Sequence, residues 1–194
     1  GVTLPGEGQE AGVRPLAALE VAILRRKFTL LGDPGSGKTT FVNHLAYCLT
    51  LKSFDRLPNW PQNERDSLPI LILLRDFARW MLAAKDGAPG QSPRPTVKLL
   101  WDFLANDLAE RNIAFACPLL DSVLEEGRAI VMLDGLDEVL PGTPRSLVRD
   151  TVKAFARRYP KNRYLVTCRV LSYQRPEWRL PEGDFPVYEL DQFD

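Results

Sequence analysis

Gly32-Asp33-Pro34-Gly35-Ser36-Gly37-Lys38-Thr39 is the stretch that decides the fold of this chain. It has the G-x-x-x-x-G-K-T spacing of a P-loop, also called a Walker A motif. The residues before it (27–31, KFTLL) favour a β-strand, and residues 40–51 after it carry apolar side chains at helical spacing. Glycines between a strand and a helix allow backbone N–H groups to converge on one anion, at the positive end of the helix dipole. The stretch therefore predicts a phosphate-binding turn.

The side chains of this turn have predicted roles in binding a nucleotide. Lys38 is expected to reach the β- and γ-phosphates, and the hydroxyl of Thr39 is expected to ligate Mg²⁺. The predicted nucleotide-binding residues are the whole loop and the residue that follows it: Gly32, Asp33, Pro34, Gly35, Ser36, Gly37, Lys38, Thr39 and Thr40.

Length, charge and composition narrow the class of protein. The 194 residues are enough for one domain. Lys+Arg and Asp+Glu both number 25, and a net charge of zero argues against a nucleic-acid partner. No apolar run approaches the ~18 residues of a membrane span and no signal peptide is visible, so we expect a cytoplasmic protein without a membrane partner. The 3 cysteines form no C-x-x-C pair, so neither a zinc site nor a disulfide framework is indicated.

Apolar strands alternate with amphipathic helices along the chain. Residues 1–14 are Gly-rich and polar, and they predict a loosely held arm or linker before one domain at 15–194. Strands are predicted at 27–31, 68–74, 129–133, 163–168 and 185–190, and helices at 15–26, 40–51, 75–84, 97–111, 118–126 and 145–159. The alternation predicts an α/β protein with the three-layer P-loop NTPase fold, in which helices flank a parallel five-stranded sheet. The continuously apolar run 68–74 predicts a strand buried on both faces.

An acidic cluster, Asp134-Gly135-Leu136-Asp137-Glu138, follows the predicted strand at 129–133. With a P-loop upstream, this arrangement is typical of a Walker B motif, whereas alone it would indicate a solvated acidic turn. Asp134 is predicted to hold Mg²⁺ through a water molecule. A second carboxylate is expected to orient or deprotonate the attacking water, and both Asp137 and Glu138 qualify.

A third polar motif, Thr167-Cys168-Arg169, ends the strand predicted at 163–168. Ligands bind parallel sheets at the carboxyl ends of their strands, so Arg169 is expected at the same edge as the other two motifs. There it would sense the γ-phosphate through a charge-assisted hydrogen bond, or else pair with a neighbouring carboxylate. The predicted catalytic residues are therefore Asp137, Glu138 and Arg169.

Together, the three motifs resemble the NACHT family of signal-transduction NTPases, within the broader STAND class. The most specific feature is the sequence VMLDGLDE at 131–138, and LPILILLRDFAR (68–79), YLVTCRVLSYQ (164–174) and VYELDQFD (187–194) also resemble that family. The resemblance covers roughly residues 15–194. The P-loop sequence LLGDPGSGKTTFVNHLA (30–46) is more similar to bacterial members than to animal receptors.

The resemblance implies a nucleotide switch that binds ATP, or sometimes GTP, with Mg²⁺ and hydrolyses it to ADP or GDP. It implies that Arg169 serves as sensor 1. The partners it implies are other copies of the protein and effector and sensor domains in cis, in signalling that includes immune or antiphage defence. The helical and winged-helix domains that normally follow the core are not expected within 15–194, so the site should stay open on one face and turn over slowly.

Three other functions are compatible with the same motifs. A P-loop small-molecule kinase would need an acceptor pocket and usually an Arg-rich lid, but the Pro- and Gly-rich loop predicted at 85–95 carries only Arg94. A nucleic-acid motor or clamp loader would bind nucleic acid in a salt-dependent manner, and the neutral charge argues against it. The third is a scaffold that binds nucleotide with almost no hydrolysis.

Overall fold

The computed structural model describes residues 2–3, 17–85, 94–139 and 145–190. Within these residues, six strands form one sheet. In chain order the strands are β1 (Val2–Thr3), β2 (Lys27–Leu31), β3 (Leu68–Leu73), β4 (Ala129–Asp134), β5 (Arg163–Cys168) and β6 (Val187–Leu190). Their spatial order is β1-β6-β2-β5-β4-β3. Strands β2 to β6 are parallel, which confirms the predicted parallel five-stranded sheet, and β1 adds an antiparallel edge beside β6.

Helices pack on both faces of this sheet. They are α1 (Ala18–Leu24), α2 (Lys38–Thr50), α3 (Leu74–Lys85), α4 (Val97–Glu110), α5 (Cys117–Glu126), α6 (Arg145–Arg158) and α7 (Val170–Tyr173). The first helix is shorter than predicted because the backbone is already extended at Arg25. Within the described residues, no helix is both long enough and apolar enough to cross a membrane.

Two apolar clusters show that the domain has three layers. Side chains alternate along a strand, so Val131 and Leu133 of β4 join one cluster while Ile130 and Met132 join the other. The first cluster packs the sheet against α3, α4, α5 and α6, and the second packs it against α1 and α2. Coverage on both faces explains why the central strands are continuously apolar. The predicted three-layer α/β fold is confirmed.

Strand β3 lies at the edge of the sheet, so the expectation that it is buried on both faces is wrong. Ile70 and Ile72 are buried, but Leu68 and Leu71 are 41% and 38% exposed. The Leu68 N–H donates to the Arg128 carbonyl beside β4, so the backbone groups of the odd-numbered residues point away from the sheet. Pro69 is one of these residues and has no N–H. It therefore shortens the row of donors on which another strand could pair.

Two predictions fall largely outside the described residues. In the arm predicted at 1–14, the structure describes only Val2 and Thr3, which form β1. In the loop predicted at 85–95, residues 86–93 are outside the described ranges.

The sheet order brings three loops together at one edge. Strand β5 lies between β2 and β4, and all three run in the same direction. Leu31 is in register with Cys168, and Leu133 is in register with Val166. The P-loop, the acidic cluster and Arg169 all follow directly after these strand ends. They therefore meet at the carboxyl edge of the sheet, as predicted.

Candidate nucleotide-binding site

A cavity of about 300 Å³ opens at this carboxyl edge. Its walls come from the P-loop and the start of α2, from the segment after β4 and from the end of β5. The lining residues are Pro34, Gly35, Gly37, Lys38, Thr39, Thr40, Asp134, Gly135, Asp137, Glu138, Thr167 and Arg169. The structure thus brings the three predicted motifs around one space.

The backbone of the P-loop depends on its glycines. Gly35 and Gly37 have φ values of 84° and 90°, in the left-handed region that strains other residues. A Cβ on Gly32 would lie 2.4 Å from the Ser36 hydroxyl oxygen, so a side chain there would displace that hydroxyl. Gly37 is also the N-cap of α2, and no side chain caps this helix. Its first N–H groups are therefore suited to bind a phosphate.

The side chain of Lys38 folds over its own loop. Its ammonium group donates hydrogen bonds to the carbonyl oxygen of Gly32, to that of Asp33 at 3.0 Å and to the Ser36 hydroxyl at 3.3 Å. Burial lowers the pKa of Lys38 below its ordinary value, and the negative charge of Asp137 partly opposes that shift. An anion in the cavity would favour the charged ammonium, which is the electrostatic requirement of a phosphate site.

Asp134 is held between two hydroxyl groups and is only 7% exposed. Thr39 Oγ1 donates to Asp134 Oδ2 at 3.0 Å, and Thr167 Oγ1 donates to Asp134 Oδ1 at 2.5 Å. Thr167 Oγ1 also accepts the N–H of Gly135 at 2.8 Å. The contact between Thr39 and Asp134 joins the Walker A and Walker B motifs directly, although the residues are 95 positions apart.

This donor set fits Mg²⁺ delivered with a nucleotide. Mg²⁺ is commonly bound by one or two protein oxygens together with phosphate oxygens and water molecules. Thr39 Oγ1 and Asp134 Oδ2 supply two adjacent oxygens of that kind. Within the described ranges, no group of three or more His, Cys, Asp and Glu residues could hold an ion by itself. When bound here, Mg²⁺ would neutralise negative charge on the phosphates.

The two carboxylates that end the acidic cluster have different partners. Asp137 Oδ2 lies 2.8 Å from Arg169 Nε, and Asp137 Oδ1 accepts the backbone N–H of Arg169 at 3.0 Å. The Asp137 side chain is only 6% exposed, so both of its oxygens are engaged in a nearly buried contact. Glu138 Oε2 lies 3.3 Å from Arg75 Nη1, and both of these side chains are about half exposed. Asp137 is therefore anchored, whereas Glu138 is more accessible to a ligand in the cavity.

Sequence reasoning missed two residues of this site. Thr167 was part of the third motif but had no predicted role, and Arg75 was not singled out. Arg75 lies at the start of α3, directly after β3, and reaches Glu138 from there. The rule that ligands meet at the carboxyl ends of strands, applied to β3 as well, would have indicated Arg75.

Three predicted loop residues, Gly32, Asp33 and Ser36, contact Lys38 rather than line the cavity.

The strand order, the glycine loop and the paired motifs together define the P-loop NTPase fold. No protein-family model and no curated protein matches the chain. Among solved structures, C. elegans PCH-2 is similar to it, with a TM-score of 0.46 and 16% sequence identity. The similarity covers 90% of this chain and 40% of the PCH-2 chain.

Proposed function

We propose that this chain is a nucleotide-binding and hydrolysing domain that takes ATP, or GTP, with Mg²⁺. The observation that carries the proposal is the hydrogen bond of 3.0 Å between Thr39 and Asp134, at the mouth of a glycine-rich loop that holds Lys38. A glycine turn that binds no ligand would not require a buried aspartate from another strand beside it. Phosphoryl transfer requires mainly positioning and charge neutralisation, and the residues around this cavity are suited to both.

Glu138 is the better candidate for the carboxylate that orients the attacking water. Its side chain is 40% exposed and lines the cavity, and its arginine contact at 3.3 Å is long. Both carboxylate oxygens of Asp137 already contact Arg169. We therefore assign Asp137 to the placement of Arg169 beside the phosphates, and Glu138 to general-base or water-orienting catalysis.

The NACHT-type switch is the finer part of the proposal. It is supported by the sequence VMLDGLDE and by the residues of this motif that lie around the cavity, namely Asp134, Asp137 and Glu138. In this account, exchange of ADP for ATP would change the contacts of the chain with other copies of itself and with effector and sensor domains in cis. Slow turnover suits such a switch, because the triphosphate state must persist long enough to signal.

Single-turnover hydrolysis, with protein in excess over Mg·ATP or Mg·GTP, is the direct test of this function. We expect the wild type to release phosphate and to prefer one of the two nucleotides. Glu138→Gln should bind nucleotide normally but hydrolyse it at least ~100-fold more slowly, because a general base acts in the transition state. Asp137→Asn keeps one acceptor for the Arg169 backbone, so its loss should be below about tenfold, or ~1.4 kcal/mol.

Lys38→Ala is the control for contaminating hydrolases, since it should bind no nucleotide and release no phosphate. Wild-type rates in Glu138→Gln would remove the catalytic assignment. Equal phosphate release by the wild type and by Lys38→Ala would remove the proposed activity altogether.

A further inference from the structure

Thr167 is a nearly inaccessible residue beside Asp134, the proposed metal ligand, on the strand that lies between β2 and β4. It is 1% exposed and lies at the penultimate position of β5. Its hydroxyl accepts a hydrogen bond from the Gly135 N–H at 2.8 Å and donates one to Asp134 Oδ1 at 2.5 Å. Both contacts are with the segment that follows β4, so one hydroxyl links the end of β5 to the Walker B motif.

The two hydrogen bonds together determine the direction in which the hydroxyl proton points. A threonine hydroxyl has one donor and can accept at its lone pairs. Because the Gly135 N–H occupies the acceptor side, the proton is directed at the carboxylate. Asp134 Oδ1 is then engaged, and Asp134 Oδ2 is the oxygen that faces Thr39. Without this contact, the carboxylate plane would be freer to rotate about the terminal side-chain torsion, away from the orientation that presents an oxygen beside Thr39.

We propose that Thr167 is a positioning residue for Mg²⁺, which fixes the Asp134 carboxylate so that Oδ2 is presented to the ion. The proposal rests on the function proposed above. Groups that hydrogen-bond to a metal ligand without contacting the metal themselves typically change the metal affinity by 10–100-fold when they are removed. The effect should appear in the dependence of nucleotide binding on Mg²⁺, while binding without Mg²⁺ should be unaffected.

Three variants separate this role from a merely structural one. Thr167→Val has nearly the same shape but lacks the hydroxyl, and Thr167→Ser keeps the hydroxyl. Thr151→Val is a matched control, because Thr151 is 0% exposed and its hydroxyl has no hydrogen-bond partner among the described residues. Should Thr167→Val fail to fold, Thr167→Ala serves instead, since its smaller side chain leaves room for a water molecule at the Gly135 N–H.

The measurement is the dissociation constant of ADP by titration calorimetry, over a series of MgCl₂ concentrations and in excess EDTA. We expect Thr167→Val to need ~10–100-fold more Mg²⁺ for half of the magnesium-dependent gain in affinity. Thr167→Ser and Thr151→Val should behave like the wild type, and the affinity in EDTA should be the same for all four proteins.

The outcomes that contradict the two proposals differ. If the wild type shows a magnesium-dependent gain and Thr167→Val shows the same gain at the same Mg²⁺ concentration, the role of Thr167 is wrong and the nucleotide site stands. If the wild type binds no ADP at any Mg²⁺ concentration, the function proposed for the chain is wrong, and the role of Thr167 fails with it.

Discussion

At the residue scale, the position of Glu138 depends on what confines its carboxylate. Gly135 has a φ of 77°, and a Cβ built there would lie 3.0 Å from Glu138 Cδ and 3.3 Å from Glu138 Oε2. Arg75 Nη1 lies 3.3 Å from the same Oε2 atom. The carboxylate therefore lies close above a residue that has no side chain and against the guanidinium of Arg75. A glycine at position 135 serves the backbone turn and the placement of Glu138 at once.

Arg75→Ala should lower kcat for hydrolysis about twofold to fivefold and leave KM unchanged. The reason is that an ion pair this exposed contributes less than about 1 kcal/mol, but its loss leaves Glu138 less well oriented in the transition state. Steady-state phosphate release measures both constants. Arg79→Ala is the matched control, because Arg79 lies one turn further along α3 and pairs with Asp76 at 3.1 Å. A rise in KM with an unchanged kcat would show that Arg75 contacts the nucleotide instead.

At the element scale, one side chain at the start of β5 holds several segments together at the edge of the sheet opposite the cavity. The guanidinium of Arg163 donates to the carbonyl oxygens of Ala22 at 2.8 Å and Ile23 at 3.2 Å, near the end of α1. It also donates to Glu64, and it lies over the ring of Trp60 at 5.6 Å from the centroid. The Arg163 and Glu64 side chains are only 9% and 12% exposed. Arg163 therefore caps α1 and ties the 60–64 segment to the sheet.

Arg163→Ala should lower the free energy of unfolding by about 3 kcal/mol, because it uncaps the carbonyl oxygens at the end of α1 and leaves the nearly buried Glu64 paired with the more exposed Arg26, at 3.0 Å. That loss corresponds to roughly 6–12 °C in Tm for a domain of this size. Arg158→Ala is the control, since Arg158 and Glu125 are 49% and 44% exposed, and it should leave the free energy of unfolding nearly unchanged. Urea denaturation gives both values. Equal losses in the two variants would contradict the role of Arg163 in holding α1 and the 60–64 segment to the sheet.

At the scale of the whole molecule, the sequence was informative where a local pattern fixes local structure. The glycine spacing predicted a tight turn between β2 and α2, and apolar periodicity predicted the strands and helices to within a few residues. The rule that parallel strands place ligands at their carboxyl ends predicted that Asp134 and Arg169 would meet the P-loop. These expectations need only the direction of each strand, which the alternation of strands and helices already implies.

The features that were missed depend on the lateral order of the strands, which no local pattern encodes. The apolar sequence of β3 resembles that of a central strand, yet β3 lies at the edge with Leu71 partly exposed. The proposed assignment of Glu138 rather than Asp137 rests on β5 lying beside β4, because that order places Arg169 against Asp137. The hydrogen bond between Thr167 and Asp134 follows from the same neighbour relation.

The P-loop of this chain is proposed to bind a magnesium nucleotide. The most direct test is a calorimetric titration of Mg·ADP and Mg·GDP into the wild type and into Lys38→Ala. We expect one nucleotide bound per wild-type chain and no measurable heat of binding with Lys38→Ala, whose circular dichroism should match that of the wild type. Binding of equal affinity to both proteins, or no binding to the wild type, would contradict the claim.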